Sequence, residues 1–334
     1  MTTHRQIALD SDLRTRPTIR RAMASSLGGP GSATRRTSGG LLAMLATGAL
    51  WGTVFIGPEL VAGTPATAVV GGRYVLFGLA AGVLGRRHLR AAPWGRATQF
   101  ALTGFVGCYL LVVLAVQRAG AAPITVLVGT TPVVYAIVGA RRAGFDARRL
   151  AGPLAVLLTG IVLVNVVDIR QTTGRSTGDL VAGLALGLGA VAMWTWYGLH
   201  NATWLRTSNW SSSAWTAVVG AATGVLALPV LLHGLVIADA SVTPRLVGVW
   251  VVLGLGPAWL GTITWNVASR LLPETITGPL LVIETMFALG YAHVLHGTFP
   301  TPLTMLGYVL LMVGVVGAYA TVTLAGPRVR AAAT

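Results

Sequence analysis

From residue 41 onward the chain alternates long apolar runs with short polar breaks. The runs cover 41–60, 65–84, 97–117, 121–140, 148–167, 179–199, 213–236, 246–268, 275–295 and 303–325. Each approaches the ~20 residues that a helix needs to cross a hydrocarbon core of about 30 Å. Within a run the apolar positions are continuous and show no period of two, which argues against a transmembrane barrel. A helix that is apolar all round can also lie in the core of a soluble protein, but ten of them would leave no outer layer to meet water. The pattern predicts an all-α integral membrane protein with about ten transmembrane helices.

Composition agrees. Hydrophobic residues make up 54% of the chain and charged residues 10%, against roughly 25% charged in soluble domains. The net charge of +15 raises nucleic acid as a partner, but its placement excludes it. Every basic residue is Arg, and seven of them precede residue 41. Arg86, Arg87, Arg90 and Arg96 follow the second run, and Arg141, Arg142, Arg148 and Arg149 follow the fourth. The alternate loops hold little beyond Arg118, Arg170, Arg175 and Arg245. Arginine on every second loop is the positive-inside pattern. It predicts a plasma-membrane protein, in a bacterium the inner membrane, with both termini cytoplasmic and the arginines facing the bilayer surface.

Residues 1–40 are rich in Arg, Ser, Thr and Gly and are expected to form a disordered cytoplasmic tail. The first apolar run comes late and is span-length, so no signal peptide is expected, and translation could start at Met1 or Met23. Cys108, the only cysteine, falls inside a span, so neither a disulfide framework nor a thiol metal site is available. His293 and His296 lie nearly one helical turn apart, but a third ligand is missing, and no metal or cofactor is expected.

Two stretches resemble each other: "AVQRAGAAPITVLVGTTPVVYA" (115–136) and "VASRLLPETITGPLLVIETMFA" (267–288). Each has an Arg closing one span, a short polar link, then a helix bearing Thr with polar residues at its middle. "GALWGTVF" (48–55) likewise compares with "AVAMWTWY" (190–197). Five spans precede the loop at 169–178 and five follow it, giving repeats at 41–168 and 179–325. An odd number of spans per repeat inserts the second upside down, and inverted repeats of this kind mark transporters with a substrate site near the midplane.

These features resemble the drug/metabolite transporter superfamily, in its ten-helix form with two EamA-like repeats. The resemblance is carried by Trp51-Gly52-Thr53, Arg73, "TTPVVYAIVG" (130–139), "IETMFALGY" (283–291), and the repeat-closing runs "RRLAGPLAVLLTGIVLV" (148–164) and "TPLTMLGYVLLMVGVVG" (301–317). "MWTWYGLHNATW" (193–204) and "TWNVASRL" (264–271) look most like the aromatic amino-acid exporter branch. The resemblance implies export of a small organic metabolite, such as an amino acid or amphipathic drug, by alternating access.

The chemistry inside the membrane is sparse. Glu284 falls about ten residues, or about 15 Å, into its span, and Arg73 reaches a similar depth in the second. An isolated charge there costs several kcal/mol, so both should face a cavity or a partner. Two readings stay open: a structural ion pair, or a site in which Arg73 meets a substrate anion and Glu284 a proton or cation. Trp51, Trp194, Tyr197 and Trp265 offer aromatic faces for an apolar or cationic substrate, and Asn266 adjoins Trp265. Half-helix breaks are expected near Gly57-Pro58 and between Gly129 and Pro132. The GxxxG pairs Gly48/Gly52, Gly78/Gly82, Gly183/Gly187 and Gly220/Gly224 predict close helix contacts. They also admit a homodimer, and with it the alternative of a non-transporting membrane scaffold. No GxxxxGK[ST] loop is present and the Asp residues sit in loops and tails, so neither an ATPase nor a membrane-embedded enzyme with catalytic residues is expected.

Overall fold

In the computed structural model, which describes residues 30–164 and 176–331, ten helices are long and apolar enough to cross a membrane. They are α1 (Arg35–Val61), α2 (Ala66–Leu84), α3 (Trp94–Ala119), α4 (Pro123–Arg142), α5 (Ala147–Val164), α6 (Thr177–Thr207), α7 (Ser212–Ile237), α8 (Pro244–Leu271), α9 (Glu274–His296) and α10 (Pro302–Leu324). Among the described residues there is no strand. The apolar runs mark every helix to within a few residues except the start of the first and the end of the sixth, which continues to Thr207. In the first, helical backbone begins at Pro30, so the last part of the expected tail is helix instead. The cause is local. Proline suits a helix start, and Gly39 and Gly40 let the helix lie against Leu271 and Leu272 at the end of α8. The earlier tail residues, and Arg170 and Arg175, fall outside the described residues.

Helices pack in pairs: α2 on α7, α5 on α10, α3 on α6, α4 on α9, and α1 on both α8 and α9. Glycine decides where they touch. A methyl group built on Gly224 would lie 2.6 Å from the Gly78 Cα, so α2 and α7 cross backbone on backbone. Gly160 of α5 meets the Gly307 carbonyl of α10 at 2.9 Å by the same test, and Gly48 and Gly52 of α1 press on Ile283 and Phe287 of α9. This is the small-residue packing that membrane helices use where lipid removes the hydrophobic driving force. Gly82 departs from expectation. Nothing lies within 4 Å of its missing Cβ, because the α2–α7 seam runs through Gly71, Gly78, Ala81 and Gly85. The other glycines of the four GxxxG pairs contact helices of their own chain.

Several spans are irregular. α1 ends as an α-helix at Ile56 and continues as a 3-10 turn over Pro58–Val61, as Gly57-Pro58 led one to expect. α4 is interrupted at Thr130, between Ala121–Gly129 and Thr131–Arg142. Pro132 lacks an N–H, and the Val128 carbonyl it would have met accepts from Thr131 Oγ1 instead, while Thr130 Oγ1 donates to Leu127 O at 2.7 Å. α9 is interrupted at Leu281, between Glu274–Leu280 and Val282–His296, just beyond Pro279. That second break was not expected. α3 and α8 each contain a π-helical stretch, Leu102–Val106 and Gly254–Gly261. In each, a glycine meets an aromatic ring: Gly104 faces Tyr197 of α6, and Gly261 faces Trp51 of α1.

Candidate functional site

The widened turn of α8 fixes the first aromatic residue. Its Pro257 carbonyl accepts a hydrogen bond from Trp51 Nε1 at 3.0 Å, and Gly261 makes room for the indole. Trp51 then contacts Trp265 of α8 (ring centroids 5.5 Å apart) and stands edge-on to Trp194 of α6 at 6.1 Å. Trp194 and Trp265 are 5.6 Å apart. Tyr135 of α4 closes the group at 6.2 Å from both. Four helices therefore deliver aromatic rings to one place. Trp265 and Tyr135 are fully buried, whereas Trp51 and Trp194 keep some exposure. Trp265 Nε1, together with the buried hydroxyls of Thr195 and Thr262, finds no hydrogen-bond partner among the described residues. An unmet polar atom away from water is costly, commonly about 1–3 kcal/mol.

Tyr197 joins this group to the charged part of the site. It lies 6.4 Å from Trp194 and 5.5 Å from Phe105 of α3, and Phe105 lies 6.0 Å from Tyr74 of α2. Tyr74 is a principal partner of Arg73. The guanidinium donates from Nη2 to the Tyr74 hydroxyl at 2.7 Å, and its carbon sits 4.4 Å from the Tyr74 ring centre and 5.1 Å from that of Tyr109. Arg73 is buried, and its Nε has no partner among the described residues. Cation–π contacts stabilise a desolvated guanidinium, by up to about 2 kcal/mol, but they do not neutralise it.

Glu284 supplies the opposite charge. It stands in the first turn of the outer half of α9, directly after the break. Its backbone is pinned where Gly48 lets α1 come close. Its side chain is half-buried and, among the described residues, makes no hydrogen bond or salt bridge. Arg73 and Glu284 lie near enough to interact through their charges, yet no salt bridge of 4.0 Å or less joins them. Depth alone suggested that they could pair; the structure turns Arg73 toward two tyrosines instead.

Asn266 also departs from expectation. Trp215 Nε1 donates to Asn201 Oδ1, Asn201 Nδ2 to Asn266 Oδ1, Asn266 Nδ2 to Thr216 Oγ1, and Thr216 Oγ1 to Ser212 O, each at 2.8 Å. This chain of bonds ties α6, α7 and α8 together and occupies both ends of the Asn266 amide. Successive helix residues point about 100° apart, so with Trp265 facing the aromatic group Asn266 must face elsewhere. The outer histidines are likewise engaged: His293 lies 2.9 Å from the Tyr308 hydroxyl, and His296 Nε2 lies 2.9 Å from Glu59 Oε2. Among the described residues no three His, Cys, Asp or Glu side chains gather as a metal site would need.

Sequence reasoning missed Tyr135, Tyr74 and Tyr109. Each is one tyrosine in an apolar span, and only its neighbours in space give it a role.

No family model matches the chain. Inner membrane protein YtfF of Escherichia coli (strain K12) is 34% identical over 307 residues, covering 84% of this chain and 94% of the relative. A solved crystal structure of a protein superposes with a TM-score of 0.69, covering 87% of this chain and 99% of that one at 18% identity. That likeness establishes a shared fold.

Proposed function

This chain belongs to the family of inner membrane protein YtfF, and from that premise we propose that it is a secondary transporter, an exporter of a small organic metabolite such as an amino acid or amphipathic drug. One observation carries the reading. Arg73 and Glu284, opposite in charge and not joined in an ion pair, lie within membrane spans, and Arg73 connects through Tyr74, Phe105 and Tyr197 to a group of aromatic rings gathered from four helices. Charges so placed are expensive unless they serve an ion or substrate. A substrate with a charged group and an apolar or aromatic body suits the combination, with the rings as its stacking faces.

Alternating access between two inverted repeats is the mechanism we assign. Replacing each helix by the one five places later carries the principal packing pairs onto one another. The pairs α2–α7, α4–α9 and α5–α10 map onto themselves, α3–α6 maps onto α8–α1, and α1–α9 maps onto α6–α4. π-helical stretches fall in both α3 and α8, with a third at the end of α7, and interruptions fall in both α4 and α9, with another near the end of α1. Discontinuous helices meeting near the midplane are the usual seat of transporter sites. As found here, the rings fill the space between the helices, so substrate entry requires Trp51 and Trp194 to part. Coupling to an ion or proton gradient, or exchange, would drive the cycle, with Glu284 as the coupling acid. Both termini lie in the cytoplasm in this scheme, and the chain acts without a cofactor and not as an enzyme.

The rival, a non-transporting scaffold that oligomerises through its GxxxG faces, is less favoured because all of those glycines except Gly82 contact helices of the same chain. Two measurements decide. Comparing metabolites inside and outside cells with and without the gene should reveal a compound retained when it is missing. In proteoliposomes loaded with that compound, saturable flux is expected, and Glu284→Gln should keep the fold while abolishing flux or its pH dependence. A stable Glu284→Gln protein with full flux and unaltered pH dependence would remove Glu284 from the mechanism. A lack of any saturable flux would favour the scaffold.

A further inference from the structure

Away from the aromatic group, one side chain ties three helices together at the end of α6. Arg206, in the last turn of α6, donates from Nη1 to Glu274 Oε1 at 3.0 Å, from Nε and Nη2 to Ser269 O at 3.1 and 2.9 Å, and from Nη2 to Leu272 O at 3.1 Å. The two carbonyls belong to the end of α8, where helix geometry leaves them unmet. Glu274 opens α9, with a side chain only 10% exposed. The planar guanidinium fork thus fastens three helices at once.

What it fastens is also distinctive. The inner half of α9, Glu274–Leu280, is buried at every residue and packs on α4, where Gly139 faces Glu274 and Gly278 faces Ala136. Its Ile276 and Leu280 share one apolar cluster with Tyr135 and Trp265. The outer half packs on α1, and its far end is tied by the His296–Glu59 contact. Each half of α9 therefore has its own neighbours, and the helix is discontinuous between them at Leu281. The short inner half runs between the Arg206 fork and the apolar cluster that holds Tyr135 and Trp265. Of the bonds Arg206 makes, only the one to Glu274 ties α9 by a side chain that can swing away.

We propose that Arg206 and Glu274 form a gate latch: their contact holds this end of the bundle shut, and its rupture lets the inner half of α9 turn at Leu281 and open a path to the aromatic group. That the path carries substrate rests on the transporter reading; that the latch controls access does not.

The test reads access without needing the substrate. Thr277, fully buried one turn beyond Glu274, is changed to Cys in the full chain, with the unaltered chain and its buried Cys108 as blank. Labelling by a membrane-impermeant maleimide is followed in inverted and in right-side-out vesicles. With the latch intact, labelling should be slow from both sides. Glu274→Gln keeps size and hydrogen-bonding capacity but removes the charge, and should accelerate labelling about ten-fold or more from one side only. Unchanged rates in a folded Glu274→Gln protein overturn the proposal. If that variant does not fold, Arg206→Lys, which cannot reach all three acceptors together, is judged by the same criterion. Loss of fold in both marks a structural staple and also overturns it. Acceleration from the unexpected side would revise the topology alone. Acceleration in a protein that moves no metabolite would leave the latch standing and remove the transporter reading.

Discussion

Replacing Asn266 by Leu separates a binding role from a structural one. Leu shares the branched shape of Asn but is larger, so the change removes hydrogen bonds and adds some overpacking at this buried position. Two bonds are lost, from Asn201 Nδ2 to Asn266 Oδ1 and from Asn266 Nδ2 to Thr216 Oγ1. The losses are unequal. Thr216 keeps its donation to Ser212 O, so it forfeits only an incoming bond, worth about 0.6 and at most ~1.7 kcal/mol inside a membrane protein. Asn201 is 1% exposed; its amide N–H would be left without an acceptor, at about 1–3 kcal/mol. The expected destabilisation is about 2–4 kcal/mol. Unfolding of the purified protein by an anionic detergent titrated into neutral micelles would measure it. Transport by the surviving folded fraction should stay near normal. A protein as stable as the wild type, within about 0.5 kcal/mol, but unable to transport would refute the structural assignment and return Asn266 to the substrate site.

Gly78→Leu should prevent stable assembly because α2 cannot then approach α7, at a cost of at least ~1–3 kcal/mol of overpacking, whereas Gly82→Leu should be nearly neutral; retention time and melting temperature in detergent distinguish them. Cysteine placed at residue 90 should react with an impermeant reagent only from the cytoplasmic side, and cysteine at residue 172 only from the opposite side. The reverse pattern would invert the orientation.

The run lengths of apolar residues made the ten helices legible, because a bilayer imposes one length on every span and the sequence must comply. The start of α1 was not legible, since "PGSATRRTSGG" reads as a polar tail until Leu271 and Leu272 supply something for its glycines to lie against. Gly129-Thr130-Thr131-Pro132 announced the break in α4. In α9 the corresponding break lies among apolar residues, and Pro279 gave the only sign of it. At the site, Trp51, Trp194 and Trp265 were foreseen and do converge. Asn266 was grouped with Trp265 by adjacency along the helix, whereas in space its amide bonds Asn201 and Thr216. Arg206 lay beyond the expected end of its span, and what it holds becomes apparent only when α8 and α9 are placed beside it.

The crossing of α2 and α7 at Gly78 and Gly224 has a mechanical consequence. Most packed helices interlock like teeth, so tilting one against the other first lifts side chains out of their sockets. Where two bare backbones meet there are no teeth to disengage. Such a crossing resists separation, because any gap forfeits close dispersion contacts, but it offers little opposition to rotation about the point of contact. The seam between α2 and α7 pivots at that point but is stopped on either side by Leu231 against Gly71 and Phe77 against Gly220, so it holds the two halves of the chain together and limits how far their mutual angle can change.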